Sequence, residues 1–206
     1  MPNSLSRRSL AKLLGAAAGA SFLPARLPGA AALAAGAAPE KGPIRLNANE
    51  NPDGPCAASL AALSGCAGVA SRYPFAKQEE MQAAVARHHG VKPEQVVLGC
   101  GSSDVLRMAD SAFLGPGKRI VAAEPTFEAV LVYARMLHAN AVKVPLTADF
   151  RHDLPQMAAA CDQKTGLVYV CNPNNPTGTI VSGDEIAAFV PKVPSTATIL
   201  VDEAYH

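Results

Sequence analysis

Asn172-Pro173-Asn174-Asn175-Pro176-Thr177-Gly178 and, further along, Asp202-Glu203-Ala204-Tyr205 decide how this chain reads. Each follows an apolar, β-branched run, Leu167-Val168-Tyr169-Val170-Cys171 before the first and Ala197-Thr198-Ile199-Leu200-Val201 before the second. In an open α/β sheet, ligands bind beyond the carboxyl ends of the strands. An Asn, an Asp and a Tyr delivered to one such edge suit a flat, polar ligand.

Working outward, strand-like and helix-like segments alternate. Residues 57–63 read as a short helix, 77–89 as a clear one, and Val96-Val97-Leu98 as a strand. Then come helix 102–113, strand 119–123, helix 127–138, strand 141–145 and helix 154–160. Strand 167–171, helix 184–190 and strand 198–201 complete the series. Repeated βα units of this length predict an α/β fold, a mainly parallel sheet with helices on both faces.

Composition fits that architecture. The chain has 206 residues, 49% of them apolar, a net charge of +1 and no Trp, which suits one globular α/β domain with an appendage. The charge balance gives no reason to expect nucleic acid. Ser6-Arg7-Arg8-Ser9-Leu10 precedes a mild apolar run and small-residue cleavage options around Ala32-Leu33-Ala34. Residues 1–38 therefore read as a twin-arginine-type leader and predict periplasmic export. The alternative is an amphipathic N-terminal helix on a cytoplasmic protein. The apolar run is too short and too rich in small residues for a stable membrane span.

Cys56, Cys66, Cys100, Cys161 and Cys171 show no metal-ligand spacing, and no metal site is expected. Cys56 and Cys66 could pair in an oxidising compartment; small buried residues are the preferred reading of all five.

Three turns after strands carry polar chemistry. In Gly99-Cys100-Gly101-Ser102-Ser103-Asp104, glycines permit a tight turn and the following helix offers unpaired N–H groups, an arrangement suited to phosphate. Taken alone, Ser102 or Ser103 would more simply be an N-cap. The turn lacks the third Gly of a dinucleotide fingerprint and the Gly-Lys-Ser/Thr of a P-loop. Glu124-Pro125-Thr126-Phe127-Glu128 puts a ring at a helix start, where Phe127 stacks on a planar ligand or is an ordinary core residue. In the third, Asn175 alone would be a turn former and Asp202 a helix N-cap. Their occurrence in order along one sheet edge favours the binding reading.

These residues carry a resemblance. The chain is similar to the fold-type I pyridoxal-phosphate aminotransferases of class I/II, and within them to the histidinol-phosphate aminotransferase branch. The matching motifs are Leu46-Asn47-Ala48-Asn49-Glu50-Asn51-Pro52, Arg72-Tyr73-Pro74, Gly99-x-Gly101-Ser102, Glu124-Pro125-Thr126-Phe127 and the two stretches quoted first. The resemblance covers Ile44 to His206. After the leader read at 1–38, the resemblance implies an N-terminal arm at 39–75 and, at 76–206, the first part of the cofactor-binding large domain.

It also implies roles. Gly101, Ser102 and Ser103 hold the cofactor phosphate, although relatives often carry an acidic residue at the position of Ser103. Phe127 stacks on the pyridine ring, where many relatives use Tyr. Asn175 and Tyr205 hydrogen-bond the ring's phenolic oxygen. Asp202 pairs with the pyridine nitrogen, and Asp202 and Tyr205 are the catalytic candidates. Tyr73 reaches the phosphate of the neighbouring subunit, which implies a homodimer.

The implied reaction is transamination between an amino acid or related amine and a 2-oxo acid, within a biosynthetic process. An exported protein has little reason to make histidine, so the substrate stays open within that class. The family's Schiff-base lysine lies well after the Asp-Glu-Ala-Tyr motif. None of Lys41, Lys77, Lys92, Lys118, Lys143, Lys164 or Lys192 stands in its context. The expectation is thus a partial chain, inactive by itself, of a longer enzyme. A decarboxylase or lyase of the same fold shares every motif here. A non-catalytic truncated product is the other alternative.

Overall fold

The computed structural model describes residues 46–206, so the leader reading at 1–38 lies outside the described residues. The described residues fall into two units, residues 46–74 and Phe75–His206. In the described part of the first, helix α1 (Ala57–Cys66) runs into a short 3-10 turn at Ala67–Val69. α1 buries none of its residues.

The second unit holds the sheet. Its strands are β1 (Arg119–Glu124), β2 (Asn140–Pro145), β3 (Thr165–Cys171) and β4 (Thr198–Asp202). All neighbours pair parallel, in the order β2-β1-β3-β4. The helices are α2 (Phe75–His89), α3 (Ser102–Phe113), α4 (Ala129–Met136), α5 (Leu154–Ala159) and α6 (Gly183–Phe189).

Strand periodicity sorts side chains onto two faces. Ile120, Ala122, Leu167, Tyr169 and Cys171 join a buried cluster with Leu106 of α3 and Val130 and Ala134 of α4. Val121, Ala123, Val168 and Val170 join another with Leu154 and Met157 of α5 and Phe189 of α6. The sheet is therefore covered on both sides, and every residue of β3 is buried. That is why β3 reads as a continuous apolar run, as central parallel strands do. Local signals place the covering helices. Asp153 Oδ1 caps α5 by accepting from Gln156 N at 3.0 Å. Ser182 and Glu185 form a reciprocal capping box at α6.

Three expectations are corrected. Val96-Val97-Leu98 is not a strand. Val96 is extended, but its carbonyl accepts from Gln82 Nε2 at 2.8 Å and Val97 is largely exposed. Among the described residues the four strands pair only with one another, and without a ladder partner a three-residue run stays irregular.

The helix expected at 127–138 is shorter. His138 takes a left-handed backbone with φ of 58°, while its N–H and that of Ala139 return to the carbonyls of Arg135 and Ala134, a common way to stop a helix. At the other end Phe127 lies in the loop before α4. The cysteines also differ: Cys171 is buried, whereas Cys56, Cys66 and Cys100 are exposed and all five are free thiols.

Candidate functional site at the carboxyl edge of the sheet

Register brings the two deciding motifs together. Cys171 and Asp202 are partners across β3 and β4, so both strands end level. The Asn172 N–H then donates to the Asp202 carbonyl at 2.9 Å. From there the chain makes a loop stitched by side-chain amides. Asn172 exchanges hydrogen bonds with Val181 N and O, each 2.9 Å. Asn174, nearly fully buried, donates through Nδ2 to Thr177 Oγ1 at 2.8 Å and to the Pro125 carbonyl at 3.3 Å.

The buried Thr126 hydroxyl donates to Asn174 Oδ1 at 2.8 Å. This bond ties the turn after β1 to the loop after β3. The result is one pocket lined by Thr126, Phe127, Asn175 and Pro176. Phe127 is half-buried there, packed against the core below. On the other side of the loop, Asn175 Nδ2 donates to the Tyr205 hydroxyl at 3.3 Å.

Asp202 ends β4 and is 7% exposed. Both of its oxygens have donors. The Tyr169 hydroxyl donates to Oδ2 at 2.7 Å, and Ala204 N–H to Oδ1 at 3.2 Å. Burial first, and then the bond to Asp202, push the Tyr169 phenol far above its ordinary range, so it stays a donor. Burial likewise pushes up the Cys171 thiol beside it, which removes thiolate reactivity there. From the opposite face the His152 ring donates through Nε2 to the Cys171 carbonyl at 2.8 Å, and burial lowers its basicity.

Helix α3 runs antiparallel to the strands. A Cβ on Gly166, the second residue of β3, would meet the Phe113 carbonyl at 2.2 Å. The end of α3 thus sits against the start of β3. Twelve residues of helix span about 18 Å, which carries Ser102 to the carboxyl edge. Gly101 is the N-cap, with φ 83° and ψ 167°, a conformation other residues rarely adopt. A Cβ there would meet no atom within 4 Å. Ser102 and Ser103 are exposed in the first turn rather than capping it, and Asp104 Oδ2 accepts from Cys100 N at 3.1 Å.

Of the residues expected from sequence, Gly101, Ser102, Ser103, Phe127, Asn175, Asp202 and Tyr205 share the carboxyl edge. Tyr73 belongs to the other unit and is exposed. Among the described residues Glu203–His206 follows Asp202 as a turn. Thr126, Asn174 and Tyr169 escaped sequence reasoning. The signal for Tyr169 was a phenol in an otherwise aliphatic strand, two residues before Cys171 and hence on its face. Among the described residues there is no His/Cys/Asp/Glu cluster able to hold a metal ion. Nor is any helix there long and apolar enough to cross a membrane.

The comparisons with known proteins agree with this geometry. The family model for aminotransferase class I and II matches residues 41–206. The chain is 41% identical over 162 residues to histidinol-phosphate aminotransferase of Moorella thermoacetica, covering 79% of this chain and 42% of that one. It is 36% identical over 170 residues to aromatic amino acid aminotransferase of Cutibacterium acnes, covering 82% and 48%. The chain therefore spans about half the length of these relatives.

Histidinol-phosphate aminotransferase of Sinorhizobium meliloti, solved in complex with pyridoxal-5'-phosphate, superposes with a TM-score of 0.72 at 29% identity, over 77% of this chain and 43% of that one. The parallel sheet with helices on both faces is the fold-type I architecture. By family model, sequence and fold together, the chain belongs to the aminotransferase class I and II family.

Proposed function

We propose that this chain is the cofactor-binding part of a pyridoxal-phosphate-dependent aminotransferase that moves an amino group between an amino acid or related amine and a 2-oxo acid. The observation that carries the reading is Asp202: a buried carboxylate, held by two donors, at the edge where Asn175, Tyr205, Phe127 and the start of α3 also lie.

The residues fit the cofactor chemically. The N–H groups of the first turn of α3, with the hydroxyls of Ser102 and Ser103, suit a phosphate, and the open space above Gly101 admits it. Phe127 offers a ring face to a planar heterocycle. Asn175 and Tyr205, already within hydrogen-bond distance of each other, offer donors to a phenolate oxygen. Asp202 holds the proton on the pyridine nitrogen. When bound, pyridoxal phosphate supplies an electron sink for the charge left at the substrate's α-carbon. The protein's part is orientation and fixed electrostatics. Tyr73 acts across a homodimer, toward the neighbouring subunit's phosphate.

The test is a panel assay of the whole protein with amino donors, histidinol phosphate and aromatic amino acids included, and 2-oxo acid acceptors. Cofactor-dependent transfer is the expected result. Release of carbon dioxide without transfer would point to a decarboxylase instead.

Export by the twin-arginine route is proposed on Arg7-Arg8 and the weakly apolar run after them. A fusion of residues 1–40 to a reporter that must fold before export should give periplasmic signal in a competent bacterium. Arg7→Lys with Arg8→Lys should abolish it, and a signal that stays cytoplasmic with both arginines present would refute export.

A further inference from the structure

A central strand position asks only for apolar volume, and a Phe would fill the space of Tyr169. Its hydroxyl is a buried polar group that must find a partner. The partner is Asp202 Oδ2, at 2.7 Å, while Tyr169 itself is fully buried. Tyr169 and Cys171 lie two residues apart on one face of β3, and Cys171 is level with Asp202 on β4. The phenol therefore reaches the carboxylate from the core side, and Ala204 N–H holds the other oxygen.

We propose that Tyr169 is a positioning residue: its O–H fixes the rotation of the Asp202 carboxylate, so that the remaining lone pairs face the carboxyl edge and a protonated heterocyclic nitrogen seated there. A carboxylate accepts at several lone-pair sites, so the phenol and the nitrogen are compatible partners. The inference rests on the reading of Asp202 proposed above. Removing the hydroxyl leaves Oδ2 without its neutral donor and frees the carboxylate to turn.

The test is a double-mutant cycle in the whole protein, with Tyr169→Phe, Asp202→Asn and the pair. Three quantities are measured: the dissociation constant for pyridoxal phosphate, the pH titration of the bound cofactor's absorbance, and kcat against KM. Tyr169→Phe should weaken the cofactor about tenfold, the size of one hydrogen bond to a charged group. It should also shift the absorbance titration and lower kcat, with donor KM within about twofold. In the Asp202→Asn background, Tyr169→Phe should change none of these.

An effect of equal size in both backgrounds would make Tyr169 merely structural and overturn the proposal. Wild-type behaviour of Tyr169→Phe, with Asp202→Asn disabled, would overturn it while leaving the Asp202 reading intact. Near-normal turnover and cofactor binding by Asp202→Asn would overturn both.

Discussion

Two buried carboxylates in this molecule have opposite surroundings. Asp202, at the carboxyl edge, receives the Tyr169 hydroxyl and the Ala204 N–H. Asp110, on the inner face of α3, is fully buried and, among the described residues, has no hydrogen-bond partner on either oxygen. Burial alone pushes the Asp110 carboxyl up to about 7. One acid is built into a network that keeps it oriented; the other sits in apolar surroundings that favour its neutral form. Burial by itself therefore does not mark a functional carboxylate. What separates Asp202 from Asp110 is the pair of donors aimed at its oxygens.

The largest expected effect breaks the first half of that contrast. In the whole protein, Asp202→Ala should fold and lose transamination by about a thousandfold, the scale of one preorganised electrostatic contact. Steady-state kinetics with saturating cofactor measures it. Near-normal turnover would place Asp202 in the same class as Asp110.

The second concerns Asp110 and pH. Its folded value, about 7, lies above the ordinary 3.8. The native state therefore binds more protons than the unfolded state between those values, and stability falls as pH rises from about 4 to about 7. Asp110→Asn removes the ionisable group. It should match the parent near pH 4 and exceed it by about 1 to 4 kcal/mol at pH 8. Urea midpoints at the two pH values measure this, and an equal difference at both would show that the folded Asp110 carboxyl titrates near its ordinary value.

The smallest effect separates the two ends of α3, the helix that carries Asp110. Gly101→Ala places a side chain in a conformation that costs about 1–3 kcal/mol. It should weaken pyridoxal phosphate by about tenfold and leave the pH dependence set by Asp110 unchanged. Equilibrium dialysis and the same urea series distinguish the outcomes.

Much of the site was legible because its residues cluster where strands end. Asn175, Asp202 and Tyr205 follow apolar β-branched runs, and strand-end position is a local property of sequence. Phe127 was readable for the same reason, because it follows β1, whereas the Gly101 turn was legible from its glycines and the helix after them. Val96-Val97-Leu98 misled because strand identity depends on a ladder partner, and β-branched residues cannot reveal whether one exists. The 127–138 helix ran too long because its limits are set by the Thr126–Asn174 bond and by the left-handed His138. The first of these joins residues far apart in the chain.

The sequence by itself determined the βα alternation, the apolar strand runs, the caps at Asp153 and Ser182, and the identity of the polar residues at each strand end. These are set by side-chain periodicity and by hydrogen bonds spanning a few residues. Only the tertiary structure decided the strand order β2-β1-β3-β4, the level ends of β3 and β4, and the pairing of Tyr169 with Asp202. It alone decided that Asp202 has donors and Asp110 has none. Those outcomes depend on which faces meet when apolar surface is buried, and no local pattern encodes the neighbour that a side chain will find across the sheet.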